Sequence, residues 1–95
     1  MNKLKNIHPG EILEEEFLRP MDVTAYKLSQ AIGVPQTRIS QILKGKRRIT
    51  ADTALRLSKF FGTSSKFWLG LQNDFDIEEE MRNIKKELEQ IETVN

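Results

Sequence analysis

The sequence is 95 residues long, which allows one compact domain around a single hydrophobic core. It contains no cysteine and one histidine, so neither a disulfide framework nor a thiolate or multi-histidine metal site is expected. Only 38% of the residues are hydrophobic, and neither a membrane-length apolar run nor a signal-peptide core is visible. These properties predict a small cytoplasmic protein that needs no metal and no cofactor.

The net charge is only +1, but the charges are distributed unevenly along the chain. Residues 23–51 contain six basic residues and no acidic residue, whereas residues 1–22 and 73–95 are both predominantly acidic. A basic segment of this kind suits a polyanionic partner such as a nucleic acid. The alternative is a chance cluster on a solvated helix face.

Capping residues, prolines and glycines divide the first half of the chain into three predicted helices. The first begins at His8 and Pro9 and ends before Pro20, because proline suits the first helical position and cannot continue a helix. Thr24 is expected to cap the second helix, which closes at Gly33. The third helix begins at Pro35 and ends at Gly45.

The second half of the chain is divided in the same way. Thr50 is expected to cap a fourth helix, which ends at Gly62. Ser64 or Ser65 is expected to cap a short apolar fifth helix. Asp76 is expected to cap a separate last helix over residues 77–93. The prediction is therefore an all-α fold of five to six helices, with one domain over residues 1–76 and a C-terminal amphipathic helical extension over residues 77–95.

Residues 28–45 have the pattern of a helix-turn-helix, in which two short helices are joined by a tight turn that begins at Gly33. The small Ala31 is expected to let the helices approach closely, and Ile39 and Ile42 to bury the second helix against the first. In DNA-binding proteins of this architecture the second helix enters the major groove. The alternative is a helical hairpin with a merely polar outer face.

A helical wheel of the second helix places its apolar side chains on one side and an acid-free, hydrogen-bonding surface on the other. Glutamine, arginine and threonine can contact base edges, and the candidates for this role are Gln36, Thr37, Arg38 and Gln41. Basic and polar side chains and helix N-termini contact phosphates, and the candidates are Lys27, Gln30, Ser40, Lys44, Lys46, Arg47, Arg48 and Thr50.

The predicted last helix carries apolar residues at alternating spacings of four and three, which indicates one narrow apolar seam. With two residues of the preceding helix it forms the candidate dimer or partner interface: Trp68, Leu71, Ile77, Met81, Ile84, Leu88 and Ile91. The sequence leaves open whether this helix folds back on its own domain, pairs with another molecule or frays. Trp68 fits the core as well as an interface centre.

Two acidic surfaces are candidates for binding a basic protein partner: the outer face of the last helix and the first helix around residues 14–16. Enzyme signatures such as a phosphate-binding glycine loop or an HExxH motif are missing from the sequence. His8 has no histidine, cysteine or paired aspartate beside it in the sequence and is interpreted as a capping or loop residue. The sequence therefore indicates a binding protein and not an enzyme.

The helix-turn-helix segment resembles the XRE/Cro-type repressor domain of phage and bacterial regulators. Three flanking motifs resemble those of its HigA/VapI antitoxin branch: residues 8–13 (HPGEIL), 45–50 (GKRRIT) and 67–72 (FWLGLQ). The resemblance covers roughly residues 7–77. One departure is Ser29, where many members carry alanine, and a hydroxyl should be tolerated there.

This resemblance implies a lambda-repressor-like fold and the function of a type II antitoxin. Such proteins bind a pseudo-palindromic operator as homodimers, repress their own operon and neutralise a HigB-like toxin, usually an mRNA endonuclease. Two alternatives remain open from the sequence: a stand-alone Cro-like repressor without a toxin, and a protein-binding module whose DNA-binding face is vestigial.

Overall fold

A computed structural model describes residues 5–94, and within this range the chain is helical and contains no strand. The helices are α1 (Pro9–Ile12), which continues into a π-helical segment (Leu13–Leu18), α2 (Ala25–Ile32), α3 (Gln36–Leu43), α4 (Ala51–Phe61), α5 (Ser65–Asn83) and α6 (Lys85–Glu89). The predicted all-α fold is confirmed. The prediction about the start of the chain falls partly on residues 1–4, which lie outside the described range, as does residue 95.

The residues at the helix ends act largely as the sequence predicts. Thr24 and Ser64 each accept a hydrogen bond from the backbone N–H three residues further on, at 3.0 Å in both cases. Gly33 and Gly62 close α2 and α4 with φ angles of 70° and 76°, which glycine adopts at little cost. Thr50 occupies the cap position of α4, but its hydroxyl makes no capping hydrogen bond within the described chain.

The first predicted helix changes from α to π geometry after its first turn. The backbone N–H of Arg19 donates to the carbonyl of Glu14, five residues earlier, at 3.0 Å. This wider turn brings residues five apart towards the same face of the helix, so that Leu13 and Leu18 both enter the core. The three glutamates at positions 14–16 lie within this segment, away from that buried side.

The predicted separation between the fifth helix and the last helix is wrong. α5 runs without interruption from Ser65 to Asn83, and Asp76 lies inside it as a helical residue and not as a cap. The predicted domain boundary at residue 76 therefore falls within a continuous helix. The break occurs instead at Ile84, with φ −114° and ψ 24°. Because α6 ends at Glu89, the apolar seam beyond that residue is not helical.

The helices of the first 68 residues enclose one hydrophobic core, made by Leu13, Leu18, Leu28, Ile32, Val34, Ile39, Ile42, Ile49, Ala54, Leu57 and Trp68. α2 contributes Ser29 to this buried side, and its hydroxyl donates to the carbonyl of Tyr26 at 2.7 Å, so the hydroxyl is indeed accommodated. Ala31 is exposed, which corrects the expectation that it lies between the two helices.

An aromatic cluster attaches the start of α5 to the rest of the domain. Trp68 has no exposed surface, and its ring centroid lies 4.8 Å from that of Phe17 and 6.1 Å from that of Phe61. Its indole N–H donates to the Thr63 hydroxyl at 2.7 Å. The placement of Trp68 in a dimer or partner interface is therefore wrong, because a fully buried side chain cannot contact another molecule. Leu71 is half-buried against the same core.

The start of α1 lies against the end of α3. Gly10 is buried, and a Cβ atom added to it would lie 1.8 Å from the backbone carbonyl oxygen of Ile42. The Nδ1 atom of His8 accepts a hydrogen bond from the backbone N–H of Gly10 at 2.9 Å and so caps α1. The motif at residues 8–13 thus fixes the distance between the first helix and the second helix of the helix-turn-helix.

We expect Gly10→Ala to lower the free energy of unfolding by about 1–3 kcal/mol, because the new methyl group overlaps the Ile42 carbonyl. Gly70→Ala is the matched control, since a Cβ added there in α5 meets no described atom within 4 Å apart from the adjoining backbone of its own helix. That change should raise the free energy of unfolding by about 0.5–1 kcal/mol. Urea denaturation of both variants measures the difference, and equal effects would contradict the close contact.

Candidate nucleic-acid interface

The outer face of α3 presents hydrogen-bonding side chains and no acid. Ile39 and Ile42 have no exposed surface and anchor the opposite face of the helix in the core. Gln36, Thr37 and Gln41, three of the four predicted base-contacting residues, are all exposed. The structure therefore places these three side chains on the exposed side of a helix whose opposite face is buried.

The predicted phosphate-contacting residues flank this face on three elements. Lys27 and Gln30 are exposed on α2, and Lys44, Lys46, Arg47, Arg48 and Thr50 are exposed between the end of α3 and the start of α4, whereas Ser40 is half-buried. The loop after α3 contacts the end of that helix: the backbone N–H of Lys46 donates to the Gln41 carbonyl at 2.8 Å. The Arg47 guanidinium also donates to the Gln41 side chain, at 3.1 Å.

Arg38, the fourth predicted base-contacting residue, does not share the free surface of its neighbours. One of its guanidinium nitrogens lies 2.6 Å from a carboxylate oxygen of Asp52, at the start of α4. Hydrogen bonds from Arg38 and then from Arg56 hold the pKa of Asp52 below its ordinary value. This ion pair competes with any contact between Arg38 and a base.

The basic loop before α4 is held in place by α5. The buried amide side chain of Gln72 accepts a hydrogen bond from the backbone N–H of Ile49 at 2.7 Å. The same amide donates to Asp76 at 2.8 Å, and the other carboxylate oxygen of Asp76 lies 2.8 Å from Arg48. The sequence motif at residues 67–72 contains Gln72 but predicts no role for it. Its spacing of four residues from Trp68, which places both on one helix face, is the signal that could have revealed it.

Two titratable groups at this junction have shifted pKa values. Partial burial raises the pKa of Asp76, but hydrogen bonds from Arg48 and Gln72, together with the charge of Arg48, outweigh that effect and lower it overall. Burial lowers the pKa of His8, an effect that the charge of Asp76 partly opposes. Neutral His8 is the form that can accept the hydrogen bond from Gly10.

The described part of the chain offers no group of three or more histidines, aspartates and glutamates that could hold a metal ion. In the same residues, no helix is both long enough and apolar enough to cross a membrane.

Comparison with protein families matches residues 15–68 to the helix-turn-helix family. The chain belongs to this family, in its XRE-type branch. It is 47% identical over 76 residues to virulence-associated protein I of Dichelobacter nodosus, covering 80% of this chain and 70% of that protein. Members of this helix-turn-helix family are DNA-binding regulators and antitoxins, which are not enzymes.

Solved structures place this helix-turn-helix protein with the HigA antitoxins. It is similar to an addiction module antidote protein of the HigA family from Coxiella burnetii, with a TM-score of 0.89, 44% identity, and 97% and 100% of the two chains covered. It is also similar to antitoxin HigA of Pseudomonas aeruginosa, solved with the higBA promoter, with a TM-score of 0.91, 35% identity, and 96% and 100% covered. The protein is thus a HigA-family antitoxin with a helix-turn-helix.

Replacing Gln72 should destabilise the loop that carries Arg48. We expect Gln72→Met to lower the free energy of unfolding by about 1–3 kcal/mol, because it leaves the buried N–H of Ile49 without an acceptor. The neighbouring exposed residue supplies the control, since Asn73→Met should change the free energy of unfolding by less than about 0.5 kcal/mol. Chemical denaturation gives the free energies, and amide hydrogen exchange at Ile49 reports the loop directly.

Proposed function

We propose that this protein binds operator DNA as a homodimer through α3, represses its own operon and neutralises a HigB-like toxin. The observation that carries the DNA-binding part is the acid-free outer face of α3, opposite a side that is fully buried. The likeness to an antitoxin solved with its promoter supports the same function. A cytoplasmic location, expected from the sequence, agrees with it.

The proposed contacts divide between bases and phosphates. Gln36, Thr37 and Gln41 would contact base edges, because amide and hydroxyl groups pair with the donors and acceptors of the major groove. The exposed lysines and arginines around α3 would contact phosphates, joined by Thr50 beside the free N–H groups at the start of α4. Phosphate contacts fix the position of α3, and base contacts select the sequence.

Gln41→Ala should cost about 1–3 kcal/mol of binding free energy at one operator position, because a side chain that contacts a base discriminates at that base pair. Lys44→Ala is the control from the same exposed face and should weaken binding to all operator variants by a similar factor. Both are measured by titrating a panel of singly substituted operator duplexes. A uniform loss for Gln41→Ala would place Gln41 among the phosphate contacts.

The C-terminal helices provide the proposed dimer interface. Ile77 and Met81 on α5 are 58% and 57% exposed, and with Leu88 on α6, 40% exposed, they line one groove. Ile84 is half-buried at the helix break, and Ile91 is exposed beyond the end of α6. A homodimer would place two α3 helices on half-sites about 34 Å apart, which explains a pseudo-palindromic operator.

The exposed positions of this groove allow a test that spares the monomer core. We expect the double variant Ile77→Asp, Met81→Asp to be monomeric in light scattering, because buried charges oppose apolar pairing. Leu55→Asp, an equally exposed apolar position on α4, is the control and should leave the mass unchanged. An unchanged mass for the double variant would exclude this interface.

The proposal that the protein neutralises a toxin rests on its likeness to HigA antitoxins and on its acidic surfaces. The exposed glutamates of the π-helical segment and of α5 form acidic surfaces that suit a basic protein. Co-expression with the product of the adjacent gene tests this part: a toxin-sized basic protein should co-purify with the chain. Operator binding without such a partner would favour a stand-alone repressor, and partner binding without operator binding would favour a module with a vestigial DNA face.

A further inference from the structure

We infer that Asp52 is a specificity-determining residue, which holds Arg38 away from the operator bases and fixes α3 against the rest of the helix-turn-helix. This inference rests on the proposed DNA-binding function and deepens it. Arg38 then acts as a positioning residue, although its place near the start of α3 suggests base contact from the sequence alone.

The first observation is that Arg38 contacts the start of α4 through one nitrogen of its guanidinium. Its Nη1 atom lies 2.6 Å from Asp52 Oδ2 and 3.5 Å from the hydroxyl oxygen of the buried Thr53. The Arg38 side chain is 26% exposed, half of the 52% found for Arg48 in the basic loop. Within the described chain Arg38 keeps free N–H groups on Nη2 and Nε, but a bidentate contact with guanine also needs the guanidinium plane to face the base edge. Because Nη1 is held on α4, Asp52 sets the direction of that plane.

The second observation is that the same carboxylate connects to the other helix of the motif. Asp52 Oδ2 also accepts a hydrogen bond from Nε of Arg56, one turn further along α4, at 3.1 Å. Arg56 in turn donates to the carbonyl oxygens of Ile32 and Gly33, at 2.8 and 3.4 Å. Because terminal carbonyls of a helix lack partners within it, Arg56 completes the end of α2. Asp52 thereby joins the end of α2 to the start of α3.

The charges of the three side chains favour this arrangement. Hydrogen bonds from Arg38 and then from Arg56 lower the pKa of Asp52, so the ionised carboxylate present at neutral pH can pair with both arginines. The carboxylate also neutralises part of the positive charge that Arg38 would otherwise present to DNA. Specificity is then left to Gln36, Thr37 and Gln41, whose side chains are exposed on the same helix.

The test measures operator discrimination with the full chain. Wild type, Arg38→Ala, Asp52→Ala and the double variant are titrated against a panel in which every operator base pair is substituted in turn. In the wild-type background, Arg38→Ala should change discrimination at no position by more than about twofold. Asp52→Ala should free Arg38 and create a new guanine preference of roughly 5- to 150-fold at one position. The double variant should lose that preference.

The salt dependence of operator binding provides a second measurement. A change in folding stability alone would not alter it. The slope of log K against log salt should steepen in Asp52→Ala, because the carboxylate no longer neutralises the charge of Arg38 beside the DNA. Asp74→Ala, an exposed aspartate on α5, is the control for the loss of one acidic charge and should leave discrimination unchanged. Circular dichroism establishes that each variant is folded.

The possible outcomes separate the inference from the function on which it rests. If Arg38→Ala alone abolishes discrimination at one base pair, the ion pair opens on DNA and the inference is overturned. If Asp52→Ala binds with unchanged preferences and slope, Asp52 does not withhold Arg38 and the inference is likewise overturned. If the wild-type chain binds no operator, the proposed function itself fails, a result that differs from both. The Arg38→Ala variant is compared directly with the wild type. The inference can therefore be tested even if the Asp52→Ala variant does not fold.

Discussion

The proposed DNA-binding surface depends on the buried side of α5. Trp68 and Gln72 stand four residues apart on one helix face, and both are almost fully buried. Trp68 fills the aromatic cluster that attaches α5 to the first helix and α4, while Gln72 satisfies a backbone N–H of the basic loop. The buried N–H of Ile49 needs an acceptor, and Gln72 of α5 supplies it. The shape of the basic loop therefore depends on the packing of α5.

The same helix connects the proposed DNA surface with the proposed dimer surface. Asp76, one turn after Gln72, forms an ion pair with Arg48. The exposed Ile77 is the next residue of the helix. Residues that hold the proposed DNA-binding loop and residues of the proposed dimer surface are therefore adjacent on a continuous stretch of α5. A predicted helix boundary at Asp76 obscured this continuity, because aspartate is a common cap and also a common ion-pair partner.

The six basic charges of the central segment are not equivalent in the folded protein. Arg38 pairs with Asp52 and Arg48 with Asp76, although neither aspartate lies in the acid-free stretch of sequence. The basic residues that look equivalent along the sequence therefore differ in exposure and in ion pairing once the chain is folded. Gln36, Thr37 and Gln41 of α3 carry no charge and are exposed, and Gln41 accepts a hydrogen bond from Arg47.

The sequence by itself determined the features that depend on neighbouring residues. Thr24, Ser64, Gly33 and Gly62 set helix ends through local backbone geometry, and the spacing of Ile39 and Ile42 identified the buried face of α3. The motifs around the helix-turn-helix also indicated the family. These signals act over three or four residues and are visible in any short window of sequence.

Only the tertiary structure decided which distant residues meet. Arg38 and Asp52 are separated by 14 positions, Ile49 and Gln72 by 23, and Arg48 and Asp76 by 28. The close contact between Gly10 and Ile42 likewise exists only when α1 lies on α3. Helical periodicity fixes the face on which a side chain lies, but the partner on that face depends on how helices pack. Which carboxylate pairs with Arg38 and which with Arg48 is for this reason a property of the fold.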